Sequence, residues 1–199
     1  MSKLWIYGDS LATDYTRTVA GIDGKTWYEY LSQELNLDIS NHAKNGHGVL
    51  STINQILTTN NQWNDDDLII IIVPDFFRID IPQVDNVITI SDLQTDINSN
   101  KLTQISKDIE SNGTEWVEEN SLKLWNGLVS LLQNRKNIFN FFVHQKEQAK
   151  SPHLLYDGDL IDWILKTESY ISIDDKHFSP NGAKRFYEYI LKKINYVKN

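Results

Sequence analysis

Apolar and polar positions alternate along this chain in a way that predicts short buried strands separated by amphipathic helices. Residues 68–73 are apolar at every position, as expected of a central parallel strand that helices cover on both faces. Trp27, Leu31 and Leu35 instead recur at helical spacing, which predicts one apolar helix face. The predicted strands are 4–7, 37–40, 68–73 and 138–143, and the predicted helices are 26–34, 49–57, 115–133 and one that begins at 179–180.

This alternation of strands and helices indicates an α/β fold in which a mostly parallel sheet is covered on both sides. The chain has 199 residues and shows no internal repeat or linker-like segment, so we interpret 1–199 as a single domain. Residues 80–112 have weak periodicity and many Asp, Asn and Gln residues. We interpret that segment as an insertion or lid region.

The net charge, the absence of cysteine and the length of the apolar runs indicate which partners and which cellular location this protein can have. The net charge of −8 disfavours nucleic acid and anionic membrane surfaces, because an acidic protein repels phosphate groups. The absence of cysteine excludes a disulfide framework, a thiolate nucleophile and a cysteine-bound zinc site. The first apolar run is too short for a signal peptide, and no apolar run is long enough to span a membrane. We therefore expect a cytoplasmic protein.

A candidate nucleophile follows directly on the first predicted strand, in the tetrapeptide Gly8-Asp9-Ser10-Leu11. Glycine lets the chain turn sharply off the strand. A helical turn that begins near Ser10 would aim free backbone N–H groups at developing negative charge. A serine hydroxyl needs such donors and a nearby base to act as a nucleophile. Gly, Asp and Ser are also common in ordinary turns, but the place after the first strand favours Ser10 as a nucleophile.

A candidate base lies near the other end of the chain, where the segment 174–177 directly precedes the last predicted helix. A histidine that acts as general base needs a third group to fix its tautomer and to stabilise the imidazolium. Spacing favours Asp174 as this group for His177, with Asp175 in reserve. The alternative interpretation is a surface histidine flanked by solvated acids.

These segments resemble the motifs of the SGNH/GDSL hydrolase family. The matching residues are Gly8-Asp9-Ser10-Leu11, Asp174-x-x-His177 and the Ser179-x-x-Gly182 that follows. The resemblance implies a flavodoxin-like three-layer α/β/α sandwich and hydrolysis of an ester through an acyl-enzyme on Ser10. Acyl lipids, acetylated sugars and thioesters are the family's substrates, and we favour a small-molecule or carbohydrate ester such as an O-acetyl group. The resemblance implies neither a metal nor an organic cofactor.

The resemblance also implies an oxyanion hole. Residues 41–46 look like the family's glycine loop after strand two, so the backbone N–H of Gly46 would join that of Ser10. The family's third donor is an asparagine after strand three, but Val73-Pro74-Asp75-Phe76-Phe77-Arg78 contains neither Asn nor Gly. Removal of one oxyanion donor typically costs about 2.7–4 kcal/mol in the transition state.

The missing asparagine leaves several interpretations open. Arg78, His47 or Asn45 is a candidate replacement, and catalysis with two backbone donors is the other option. With Asp9 and Asp75, these three make up the candidate substrate-binding residues. The competing function is a non-catalytic or weakly active binding protein with the same fold. Phosphoryl or nucleotide chemistry is a weaker third candidate, since the sequence has no glycine-rich phosphate loop. The spacing of the histidines indicates no metal site.

Overall fold

The computed structural model describes residues 2–78 and 114–198. Their five strands form one sheet with every neighbouring pair parallel, in the order β2-β1-β3-β4-β5. The strands are β1 (Lys3–Tyr7), β2 (Asp38–Asn41), β3 (Leu68–Val73), β4 (Ile138–Phe142) and β5 (Leu154–Asp159). The α-helices are α1 (Tyr15–Thr18), α2 (Trp27–Leu35), α3 (Val49–Thr59), α4 (Thr114–Leu132), α5 (Leu160–Lys166) and α6 (Pro180–Lys198), and two single-turn 3₁₀ helices span Ser10–Ala12 and Asn60–Gln62. None of the helices in these ranges is long and apolar enough to cross a membrane.

The predicted α/β architecture is confirmed. Each predicted strand and helix is present, with ends that differ from the predicted ones by at most two residues. Strand β5 and helices α1 and α5 were not predicted. Because β5 is an edge strand with Leu155 as its one fully buried residue, it lacks the continuous apolar run that marks the inner strands. The insertion or lid predicted for 80–112 lies outside the described residues.

The sheet is the middle of three layers because alternate side chains of its strands enter two separate cores. In β3 the even-numbered residues pack in a cluster with α2, α5 and α6. The odd-numbered ones pack in a second cluster with α3 and α4. All six β3 residues are buried. Full burial of a large aliphatic side chain contributes roughly 1.5–3 kcal/mol, so both faces of β3 hold the sheet between its helical layers.

A buried carboxylate ties the start of β1 to the start of β3. Asp67 accepts hydrogen bonds from Lys3 N at 2.7 Å, Trp5 Nε1 at 2.8 Å and Asn64 N at 2.9 Å. Burial acts to raise the pKa of Asp67, but these donors outweigh it and the pKa lies below its ordinary value. The stability that this carboxylate contributes is therefore present above the ordinary pKa and is lost as the pH falls through the lowered one.

The start of α6 lies unusually close to the backbone of the loop before it. Ser179 N donates to the carbonyl of Ser169 at 2.9 Å. Gly182 N in turn donates to Ser179 Oγ at 3.0 Å, which caps the helix. A Cβ on Gly182 would lie 1.9 Å from the Ser169 oxygen, so glycine is required for this approach. The contact fixes the two ends of the loop that carries His177.

We expect Gly182→Ala to lower the free energy of unfolding by about 1–3 kcal/mol, because the added methyl forces α6 away from Ser169. Urea unfolding of the purified protein measures this change. Gly127→Ala is the matched control, since a Cβ there meets nothing within 4 Å and the change gains about 0.5–1 kcal/mol in a helix interior. Equal stability of Gly182→Ala and the wild type would contradict the argument.

Candidate active site

The nucleophile candidate lies at the carboxyl end of β1, as predicted. The chain leaves the strand at Gly8, whose φ is 138°, and a Cβ there would lie 2.3 Å from the carbonyl oxygen of Ile72 in β3. Asp9 follows with an extended backbone, and its Oδ1 accepts a hydrogen bond from Leu11 N at 3.0 Å. Glycine thus permits the close turn and aspartate caps the 3₁₀ helix that Ser10 begins.

His177 lies against Ser10, although 167 positions separate the two residues in the chain. His177 Nε2 is 2.7 Å from Ser10 Oγ, and His177 Nδ1 is 2.7 Å from Asp175 Oδ1. In the tautomer with the proton on Nδ1, that proton bonds the carboxylate and Nε2 is free to accept the serine proton. The arrangement has the geometry of a nucleophile, a general base and an orienting acid.

The carboxylate beside His177 belongs to Asp175, so the preference for Asp174 was wrong and the reserve residue is the partner. Asp175 Oδ1 accepts from the backbone N of His177 at 3.1 Å as well as from its ring. Asp175 N donates to Ser172 Oγ at 3.0 Å, which holds the residue inside the loop. The side chain of Asp174 is exposed. Aspartate side chains commonly accept a hydrogen bond from the backbone N–H two residues later. Asp175 does so with His177 N, and the partner acid therefore lies one position later than expected.

Asp175 is held in its charged form by its partner. Burial acts to raise the pKa of Asp175, but hydrogen bonds from the ring and the backbone of His177 outweigh it and lower the pKa below its ordinary value. The carboxylate is therefore ionised at neutral pH. A charge at this place favours the imidazolium that forms when His177 takes a proton.

Tyr15 covers one face of the histidine ring and was not identified from the sequence. The two rings stack with centroids 3.5 Å apart and planes 10° from parallel. The next residue, Thr16, donates from Oγ1 to the carbonyl of Phe178 at 2.6 Å. Helix α1 thus holds both the ring of His177 and the backbone after it. The only sequence signal is an aromatic residue five positions after Ser10, which belongs to no motif.

The predicted glycine loop lies beside the nucleophile turn. Thr13 Oγ1 is 3.0 Å from the carbonyl oxygen of Ser10 and 2.5 Å from Asn45 Oδ1, so one hydroxyl links the two loops. Gly46 follows with a φ of 75°, in the left-handed region that favours glycine. The structure therefore places Asn45 and Gly46 in a loop joined to that of Ser10.

Arg78 joins the same group of loops from the end of β3. Its Nη1 donates to Asp9 Oδ2 at 2.8 Å and to the carbonyl of His47 at 3.3 Å. The Asp9 side chain is 1 % exposed and that of Arg78 is 25 % exposed. Burial raises the pKa of Asp9, and Arg78 is the largest influence in the opposite direction. Arg78 is thus the counter-ion of a buried carboxylate next to Ser10.

Asp75 faces a different set of side chains at the same edge of the sheet. Its Oδ1 accepts from Phe77 N at 3.0 Å, and its Oδ2 is 3.8 Å from His144 Nε2. The other ring nitrogen of His144 is 3.3 Å from Asp159 Oδ2. Within residues 2–78 and 114–198 no group of three or more histidine and acidic side chains is placed to hold a metal ion.

A cleft of about 340 Å³, counted to its open mouth, adjoins the Ser10–His177 pair. Its walls come from α1, from the residues just before α2 and from the start of α6. The lining residues are Ser10, Thr13, Tyr15, Thr16, Gly24, Lys25, Thr26, Trp27, His177, Phe178, Pro180 and Ala183. The lining mixes hydroxyl groups with aromatic rings.

Comparisons with known proteins agree with the fold. No family model matches the sequence, and no curated protein matches it. The psychrotrophic esterase EstA from Pseudoalteromonas sp., in a structure inhibited by monoethylphosphonate, aligns over 100 % of both chains at 11 % identity with a TM-score of 0.52. TesA aligns over 98 % of this chain and 99 % of its own at 12 % identity with a TM-score of 0.47. This chain therefore has the α/β fold of an esterase, and at this identity the likeness concerns the fold alone.

We expect Asp175→Asn to slow the labelling of Ser10 by a fluorophosphonate about 100-fold or more, because an amide favours the wrong tautomer of His177. Asp174→Asn is the matched control, with the same chemical change one residue away on an exposed side chain. It should label at the wild-type rate. Equal effects of the two changes, measured by mass spectrometry over time, would contradict the assignment of Asp175.

We expect Tyr15→Ala to slow the same labelling reaction about two- to tenfold, since an aromatic pair contributes about 0.5–1.5 kcal/mol beyond area burial. Tyr15→Phe keeps the stacked ring and should restore the wild-type rate. Thermal melting of both variants serves as the control for folding. If both variants were equally slow, the hydroxyl group rather than the stack would be the relevant feature. If both reacted at the wild-type rate, the stack would play no part in the reaction.

Proposed function

We propose that this protein is a serine ester hydrolase that works through an acyl-enzyme on Ser10. The observation that carries the proposal is the continuous contact from Ser10 Oγ through the ring of His177 to Asp175, with 2.7 Å at each step. The shared fold with an esterase supports a hydrolase at the coarse level. Membership of the SGNH/GDSL type is part of the proposal, on the strength of Gly8-Asp9-Ser10-Leu11, Asp174-x-x-His177 and Ser179-x-x-Gly182. The acid that contacts His177 departs from this pattern, because it is Asp175 and not Asp174.

In the acylation step, Ser10 Oγ attacks the ester carbonyl carbon while His177 Nε2 takes the hydroxyl proton. The electron pair of the carbonyl bond moves to its oxygen, and the ionised Asp175 stabilises the imidazolium. Collapse of the tetrahedral intermediate breaks the bond to the alcohol, which leaves with the proton from Nε2. A water molecule then attacks the acyl-enzyme with His177 again as base, and the carboxylic acid is released.

The oxyanion would be bound by the backbone N–H groups of Ser10 and Gly46. The loops that carry the two residues are joined through Thr13. Donors fixed in advance cost little reorganisation when the charge develops. These are the two backbone donors that the resemblance to the family implies.

The substrate we favour is a small one, such as an O-acetyl group on a carbohydrate or another short acyl ester. The resemblance to SGNH/GDSL hydrolases supports this choice, and Ser10 and His177 both line the cleft that such an ester would enter. Of the candidate substrate-binding residues, Asn45 and Arg78 contact the loops around Ser10. Asp9 is buried under Arg78 and acts on substrate only through it, whereas Asp75 is engaged with His144.

We expect a fluorophosphonate to modify Ser10 of the wild-type protein, and Ser10→Ala to lower kcat/KM for a model acetyl ester by about 10³-fold or more. Mass spectrometry of the labelled peptide locates the adduct. His177→Ala should lose the adduct, because the serine then has no base. Ser130→Ala, which removes an exposed hydroxyl that bonds only its own helix at Asn126, is the matched serine control.

Absence of both adduct and turnover in folded wild-type protein would overturn the proposal. The competing function, a binding protein without acyl transfer, would then be tested by screening glycans against the wild type and Ser10→Ala. Equal binding by the two proteins would favour that function.

A further inference from the structure

Arg78 contacts both loops that would form the candidate oxyanion hole. Its Nη1 contacts Asp9, the residue directly before Ser10, and the carbonyl of His47, the residue directly after Gly46. A single guanidinium nitrogen therefore bridges the nucleophile turn and the glycine loop. Arg78 itself follows β3, which pairs with β1 up to Tyr7, so all three loops leave the same edge of the sheet.

The two contacts of Nη1 also fix the rest of the guanidinium group. Nη1 carries two hydrogens, and a carboxylate oxygen and a carbonyl oxygen account for both. Because the group is planar and rigid, the directions of the remaining N–H bonds on Nη2 and Nε follow from this anchoring. A quarter of the Arg78 side chain is exposed, whereas that of Asp9 is buried, so Arg78 is the member of this ion pair that a substrate can reach.

We propose that Arg78 is a catalytic residue of this protein, a charged donor to the oxyanion in the place of the asparagine that the sequence lacks. The inference rests on the proposed function. When Ser10 Oγ bonds the carbonyl carbon and the electron pair moves to the carbonyl oxygen, an N–H of Arg78 donates a hydrogen bond to that oxygen and keeps its proton. Collapse of the intermediate restores the carbonyl bond and releases the donor unchanged.

A charged donor suits this position for a physical reason. Hydrogen bonds from a guanidinium to an anionic oxygen are roughly twice as strong as neutral ones. Asp9 balances the charge of Arg78 before the reaction, so the site does not need a bound anion when it is empty. The carboxylate also holds the guanidinium in place, which provides the preorganisation that oxyanion stabilisation requires.

The competing role for Arg78 is that of a counter-ion that keeps Asp9 buried and acts on the fold alone. Arg78→Met by itself cannot separate the two roles, because it leaves a buried carboxylate without a partner and destabilises the protein. Asp9→Asn removes that charge and keeps an oxygen that can accept the hydrogen bond from Leu11 N, but it turns an amide N–H group toward Arg78 and so releases the guanidinium from its anchor. The double variant Asp9→Asn/Arg78→Met therefore removes the donor without creating an unpaired charge.

The experiment uses the purified 199-residue chain and compares the double variant with the wild type for catalysis and with Asp9→Asn for stability. We expect the double variant to melt at the same temperature as Asp9→Asn, and its kcat for 4-nitrophenyl acetate to lie about 10²–10³-fold below that of the wild type with a KM within about threefold. Arg78→Lys is a second test that keeps a cation against Asp9. Its single ammonium lacks the rigid fork, so we expect kcat to fall at least about tenfold with little loss of stability.

A kcat of the double variant equal to that of the wild type would overturn the inference and leave Arg78 as a counter-ion. A change confined to KM would also overturn it, because that result means uniform substrate binding rather than binding of the oxyanion. Failure of the proposed function is a separate result, since the wild type would then show neither turnover nor a Ser10 adduct.

Discussion

The parallel pairing of β1 with β2 on one side and β3 on the other is the constraint on which the site depends. Parallel strands all end at the same edge of a sheet, and ligand sites in such sheets lie outside those ends. Tyr7 pairs with Ile71, and Ile6 pairs with Asn41, so the three strands end nearly level. The loops that follow them carry Ser10, Gly46 and Arg78. The parallel pairing therefore brings these residues to one edge of the sheet, although they are distant in the chain.

The close approach of these loops depends on two glycines. Gly8 turns off β1 where a Cβ would strike the carbonyl of Ile72, and Gly182 brings the start of α6 onto Ser169. The first glycine positions the nucleophile and the second positions the loop of His177. Since a side chain at either place would displace a backbone segment, the distance of 2.7 Å between Ser10 Oγ and His177 Nε2 depends on both.

The parts of this arrangement that follow from local pattern could be predicted from the sequence. The inner strands are continuous apolar runs. Ser10 follows a strand, and His177 lies shortly before a capped helix. Spacing in the sequence favoured Asp174 over Asp175 as the partner of His177, because spacing alone does not describe how a loop turns. The aspartate side chain bonds the backbone two residues on, and that geometry decides which acid reaches the ring. Tyr15 could not be predicted because its stacking on His177 is a tertiary contact that leaves no periodic signal in the sequence. Strand β5 could not be predicted because it is an edge strand without a continuous apolar run.

The electrostatics of the site can be understood as charges placed in advance for the proposed reaction. Before the reaction Asp175 contacts His177, and Asp9 and Arg78 form an ion pair at 2.8 Å. Transfer of the serine proton creates an imidazolium and an oxyanion. The imidazolium forms at 2.7 Å from Asp175. On our proposal the oxyanion forms against Arg78. Each new charge therefore meets an opposite charge that is already held in place, so the barrier contains little reorganisation of the surroundings.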